Sequence, residues 1–390
     1  MTSLTRPFGS IIAATLKAKS VISTFAFIVL TGLTLTSCTG EGDWGGEPGT
    51  GGDGPGGGLN LSESLQALHA NAISGGEYTI ELAGSGNIGA QPLSFSGRSN
   101  ITIRLTGSER ERMVSLTDNG SLFTIGSGVT LILDNRIYLR GHGSNNAPLV
   151  RVNSGGMLIM KAGAKISGNS RGSNSGGGVV VDKGGSFLME DGEISGNSVD
   201  GWSAAGGGVY VDEGADFLME GGRISGNSAN GNGGGVYAAD GRFTMTGGEI
   251  SNNTASVGGG VYVSNGNFTM EGGRIFGNTA NTTSSSSGGG GVYVDRTTFT
   301  MNGGEIARNT ASSGGGVFVA SNARIIKTGG TIHGYTMGDN NRNTATSGIS
   351  GNNRGHAVFV NSNPGKRRES TAGPGLNLDS NADGAAGGWE

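Results

Sequence analysis

Between about residue 150 and residue 320 the apolar positions come in short bursts of period two, separated by glycines. One burst is aromatic-x-Met: Phe187/Met189, Phe217/Met219, Phe243/Met245, Phe268/Met270 and Phe299/Met301, with Leu158/Met160 before them. Residues two apart share one face of a strand. The Phe and Met are therefore expected inward, and the residue between them (Leu188, Leu218, Thr244, Thr269 or Thr300) outward. A second burst follows: Ile166/Asn169, Ile194/Asn197, Ile224/Asn227, Ile250/Asn253, Ile275/Asn278 and Ile306/Asn309. A third follows a triple glycine and begins at Val179, Val209, Val236, Val261, Val292 and Val317, with a degenerate last copy ending at Val358. The six valines are 30, 27, 25, 31 and 25 residues apart.

Each repeat thus holds three short strands and three turns. Extra residues fall between the Asn and the triple glycine, as at Thr282 to Ser287. Insertions confined to one loop per repeat are the mark of a solenoid, in which stacked strands keep register while a loop varies. No helical period is present, and Gly and β-branched residues oppose one. The pattern predicts an all-β, right-handed parallel β-helix of about nine or ten three-strand coils. At about 4.8 Å per coil the rod is on the order of 45 Å long. Like residues then stack in columns: Val, Phe, Met and Ile inside, and Asn as an amide ladder along a turn. Ser170, Ser198, Ser228, Thr254, Thr279 and Thr310 follow each Asn and extend that polar turn.

Before Lys161 the repeat is weaker, with strands expected at residues 78–82, 101–105, 122–125, 129–133, 137–139 and 149–152. Residues 62–72 form the one expected helix. Ser64 is its expected N-cap, and Leu65, Leu68 and Ala72 share a face that would cover the open end of the first coil. Leu376, Leu378 and Trp389 are candidates for closing the last coil.

Glycine supplies 81 of 390 residues, roughly three times its usual share of about 7%. Because the glycines recur at fixed places between strands, they read as turn residues rather than as disorder. Cys38 is the only cysteine, which excludes an internal disulfide framework. Ahead of it lie Arg6, Lys17 and Lys19, an apolar stretch from Val21 to Leu35, and the tetrad Leu35-Thr36-Ser37-Cys38. This has the form of a bacterial lipobox, in which the Cys is lipidated and becomes the new N-terminus. The apolar stretch is short for a transmembrane span and is interrupted by Gly32 and several Thr. The expected organisation is a lipoprotein signal peptide over 1–37, a Gly-rich tether over 38–60 and the β-helix over 61–390. Without residues 1–37, 23 basic and 30 acidic residues remain, a net charge of −7. That balance argues against a nucleic-acid partner, which needs a basic face.

With these residues in view, the repeat resembles the Gly-rich right-handed β-helix lipoproteins of spirochaetes, whose fold is like that of pectate lyase. It is more distantly similar to polymorphic outer-membrane repeats of the chlamydial type, with their GGA-I and F-x-x-N elements. The resemblance covers about residues 75–390. It includes Gly355-His356-Ala357-Val358-Phe359-Val360 and the terminal Gly387-Gly388-Trp389-Glu390. The polymorphic repeat proteins carry a C-terminal membrane barrel. Too few residues follow Val360 to build one, so anchoring is expected to fall to the lipid.

Parallel β-helices include polysaccharide lyases and hydrolases, whose sites need clustered carboxylates with a basic partner. The nearest approach is Asp182, Asp212 and Asp295, one residue beyond the Val strand, with Lys183 beside the first two. The intervening and following copies place Ala239, Ser264 and Ala320 in that column, so these acids read as solvated turn residues. His69, His142, His333 and His356 lack metal-ligand spacing, and no metal or cofactor is expected. The glycine runs lead into strands rather than into a helix with Lys-Ser/Thr, so they are not phosphate loops. The feature that suits binding is a column of rings between the inward valines: Tyr210, Tyr237, Tyr262, Tyr293, Phe318 and Phe359. Alternation points these rings outward. An exposed row about 4.8 Å apart would stack on sugars or a partner surface, or would simply stabilise the sheet. The expectation is a non-catalytic, lipid-anchored protein of the outer membrane or cell surface that is adhesin-like, glycan-binding or structural. Its partners are the membrane through the lipid, and glycans or cell-surface proteins. The alternative is a polysaccharide-active enzyme.

Overall fold

A computed structural model describes residues 60–172, 175–201, 204–284, 287–334, 340–346 and 356–361, and the backbone alone at 366–368 and 376–379. Within them the chain is all-β with one helix and coils into a parallel β-solenoid of about nine turns. Each strand pairs in parallel with its copy one coil on. Phe187 faces Phe217, which faces Phe243, and Ile194 faces Ile224 in the same way. Three sheets follow the three bursts read from the sequence. Sheet A carries Phe and Met, sheet B carries Ile, and sheet C carries the Val-x-Val strands; they contain 11, 10 and 11 strands.

The core is the sum of the inward columns. Phe217, Phe243, Phe268 and Phe299, their Met partners and the Ile and Val columns are fully buried. Phe rings stack down the axis at 4.6–4.9 Å between centroids, a direct reading of the coil rise. The Asn column is buried too and runs from Asn145 to Asn343. From Asn197 to Asn309 each side-chain amide donates to the carbonyl of an Ile one coil back and to the amide oxygen one coil on, as Asn253 does with Ile224 and Asn278. The buried Asn side chains are thereby bonded without water.

The triple glycines hold backbone against backbone. A Cβ on Gly234 would sit 2.4 Å from the Thr254 carbonyl and 2.6 Å from that of Gly259, so no side chain fits. Gly233 before it has φ +65°, a left-handed conformation that L side chains disfavour.

Three features differ from the expectation. The polar turn after each Asn is itself a fourth, seven-stranded sheet D of short strands such as Ser198–Val199, Thr254–Val257 and Thr310–Ala311. After Arg171 and Val199 its inward residues are small, Ala229, Ala255, Ala280 and Ala311 among them, and most of its strands are too short to display alternation. The helix, α1 (Leu61–Asn71), is capped by Asn60 rather than Ser64. Asn60 Oδ1 accepts from the Glu63 amide, and Glu63 accepts from the Asn60 amide in return, both at 3.0 Å. Ser64 is buried with Leu61, Leu65 and Leu68 on the face that closes the first coil. In the first coils, strands at Gly86–Ile88, Gln91–Leu93 and Arg112–Leu116 join those expected.

At the far end the rule of parallel pairing breaks. Lys366–Arg368 and Leu376–Asp379 add antiparallel to the last strands of sheets C and A. The Leu376 to Leu378 segment expected to close the last coil does pair there, while Trp389 lies outside the described residues. Lys327 replaces Met in the last inward position of sheet A and is buried, its Nζ donating to the Gly330 carbonyl at 2.8 Å. Burial lowers its pKa.

Candidate functional site

Sheet C carries both groups of candidate residues on its outer face. The inward valines are fully buried, so alternation does send Tyr210, Tyr237, Tyr262, Tyr293, Phe318 and Phe359 outward. The column is nevertheless not an exposed row. Phe318 and Phe359 are buried, forming a small outer cluster with Ala320 against which Tyr293 packs, and Tyr262 is 9% exposed. The rings stack on one another, centroids 4.8–5.3 Å apart and planes within 15° from Tyr210 to Phe318. Each ring face is thus covered by its neighbour, and a sugar has no free face in the run to lie on. One-coil spacing brings this about, since it matches the stacking distance of aromatic rings. Burial, aided by nearby aspartates, pushes the Tyr210 and Tyr293 phenols up to about 12 and raises Tyr237 and Tyr262.

Asp182 and Asp212 are neighbours in the stack, and Asp295 lies three coils past Asp212 beyond Ala239 and Ser264. Asp182 is held by Arg151 at 3.3 Å. Burial raises its pKa, Arg151 opposes the rise, and Asp212 adds to it. Asp295 accepts from Tyr262 and Ser264 at 3.3 and 3.2 Å and pairs with Arg296 at 3.0 Å. Lys183 turns to Glu213 rather than to the aspartates.

The histidines are scattered. His69 stacks on Phe95, His142 meets the Asp118 carbonyl, His333 meets Glu305, and His356 meets backbone of residues 343 and 345. Among the described residues no cluster of three or more His, Cys, Asp or Glu is placed to hold a metal. Cys38 lies outside the described residues.

The most organised polar surface is on sheet B. The outward residue just before each Ile is Lys165, Glu193, Arg223, Glu249, Arg274 and Glu305, in register from coil to coil. Charge alternates at every step. Arg274 Nε meets Glu305 at 2.8 Å and Arg223 meets Glu249 at 3.4 Å. At the ends Lys165 pairs with Glu111 at 2.5 Å, and His333 with Glu305 at 2.9 Å. The Glu111 contact raises the Lys165 pKa. Beside this ladder the turn between sheets A and B narrows to Gly-Gly in five consecutive coils, from Gly221-Gly222 to Gly329-Gly330. The missing side chains leave a groove of about 550 Å³, lined by the ladder from Lys165 to Arg274 and by Asp191. The signal is present in the sequence as a charge of alternating sign before each repeated Ile. It becomes visible only when the repeats are laid over one another.

Comparison with family models, with curated proteins and with solved structures gives no match.

Proposed function

We propose that this chain is a non-catalytic, lipid-anchored protein of the cell surface that presents one long side of its solenoid to an extended ligand, a glycan chain. Cys38 carries the anchor, and the Gly-rich segment 38–60 holds the solenoid off the membrane. The observation that supports ligand binding is the sheet A–sheet B groove. Donors and acceptors recur along it at one-coil intervals, which suits a polymer with repeating hydroxyl and amide groups. Glu249 and Glu305 in the ladder are already ion-paired, and a paired carboxylate is a poor general acid or base. A glycan array probed with residues 60–390 tests the reading. Binding that is lost in Arg223→Ala/Arg274→Ala supports it, and silence across the array favours a structural spacer.

One observation favours the second reading, a polysaccharide-active enzyme. Although Asp182 is paired with Arg151, burial outweighs that partner and raises its carboxyl, with Asp212 one coil on adding to the rise, and a raised carboxyl is what a general acid requires. Cleavage of pectin, alginate or a related acidic polymer that disappears in Asp182→Asn or Asp212→Asn would establish it.

A further inference from the structure

The inward columns of this solenoid are almost self-identical. Phe faces Phe, Met faces Met, Ile faces Ile and Asn faces Asn in each central coil. Such a core does not distinguish a coil's true neighbour from the next coil along. If one coil looped out and its two flanking coils paired, every central apolar column would still match. Loop closure opposes this only weakly, because its cost grows slowly with loop length.

The outer ladder of sheet B does distinguish them. Between sequence neighbours each pair facing in register is opposite in charge: Lys165 and Glu193, Glu193 and Arg223, Arg223 and Glu249, Glu249 and Arg274, and Arg274 and Glu305. If a coil is skipped, every contact joins like charges: Lys165 with Arg223, Glu193 with Glu249, Arg223 with Arg274, and Glu249 with Glu305. Opposite charges on facing strands stabilise a sheet and like charges directly opposed destabilise it. We infer that this alternating ladder is a register code, which makes each coil stack on its neighbour in the chain and rejects pairings that skip one. The ladder's contribution to the finished fold is small, since exposed ion pairs are individually weak. Its effect lies in the difference between correct and skipped stacking, where all contacts change sign together. The inference does not depend on the proposed ligand.

Thiol trapping during refolding tests it, in the full chain carrying Cys38→Ala. Thr244, Thr269 and Thr300 occupy one outward column of sheet A in three successive coils. Cysteines at 244 and 269 report correct stacking. Cysteines at 244 and 300 report a skip, since two coils in the native stack lie about 9.6 Å apart, beyond the reach of about 7 Å for a disulfide. Glu249→Arg sets like charges against both true neighbours and opposite charge against Glu305. The skipped cross-link should then rise by at least about three-fold over the parent chain. A second chain inverts the ladder with Glu111→Lys, Lys165→Glu, Glu193→Lys, Arg223→Glu, Glu249→Arg, Arg274→Glu and Glu305→Arg. It contains the same arginine yet keeps alternation, so its skipped cross-link should return to the parent level. In about 1 M NaCl, where screening reaches about 3 Å, the three chains should converge. If Glu249→Arg does not fold at all, the inverted chain must still fold. Equal skipped cross-linking in all three chains at low salt, or an inverted chain that behaves like the single variant or fails to fold, overturns the inference.

Discussion

Asn227 and Asn253 are joined twice: Asn253 Oδ1 accepts the Asn227 side-chain amide at 3.1 Å and the Asn227 backbone N–H at 2.9 Å. The same Asn253 donates to the Ile224 carbonyl at 2.9 Å and to Asn278 Oδ1 at 3.0 Å. One side chain therefore satisfies the buried turns of three coils. Asn253→Ala strands these groups away from water. The expected loss is roughly 4 kcal/mol, from about 1–3 kcal/mol for each unsatisfied buried group. Guanidinium unfolding followed by circular dichroism measures it, and a loss below about 1 kcal/mol would mean that water repairs the ladder.

Two glycines of one coil separate close approach from backbone strain. At Gly234 an added Cβ collides with backbone oxygens of the next coil. Gly226 has φ +63° and open space around it. Gly226→Ala should cost about 1–2 kcal/mol, the penalty of a left-handed alanine. Gly234→Ala should cost more, at the upper end of the roughly 1–3 kcal/mol of overpacking or beyond it. Thermal melts of both variants test the order, and equal losses would contradict the backbone contact.

The phenol column makes stability sensitive to alkali. Tyr210 and Tyr293 have pKa values near 12 in the fold against 10.0 when free. Both forms are protonated below pH 10, so the column's contribution is fully present there. Between about 10 and 12 the unfolded chain releases protons that the folded chain keeps, and stability falls as pH rises. Ultraviolet titration should show phenolate appearing together with unfolding. Free titration of these tyrosines near pH 10 in the folded protein would mean that the rings are not packed as a column.

A whole coil should be removable. Deleting Gly235 to Gly259 takes out 25 residues and joins Gly234 to Gly260, leaving every inward column intact. A deletion of about 12 residues there puts Phe, Met and Asn out of column and should abolish folding. In the ladder the whole-coil deletion brings Arg223 beside Arg274. Adding Arg274→Glu with Glu305→Arg restores alternation and should raise the melting temperature by a few degrees. Proteolysis and circular dichroism of the three chains give the comparison.

The anchor is tested at Cys38. Cys38→Ala should abolish labelling by a fatty-acid analogue and release the protein from membranes. Unchanged membrane attachment in that variant would remove the lipid from the proposal.

The sequence by itself determined the columns. Period-two alternation within Phe187-Leu188-Met189 or Val209-Tyr210-Val211 states which side chain is inward, and repetition states which residue lies above it. Both are local facts, readable from a few neighbours and a period. Tertiary structure decided what those columns do once stacked. The rings of Tyr210 to Phe318 point outward as alternation requires, yet their faces are covered, because only the coil rise sets ring against ring. Sheet D exists because Ser198 and Ser228 lie one coil apart with backbones in register, which a two-residue segment does not announce. Asn60 caps α1 where Ser64 was expected, since Ser64 lies on the face that closes the first coil. The charge ladder stands between the two cases. Its residues are plain in the sequence, but the sign of each contact depends on which coil is its neighbour, and stacking alone settles that.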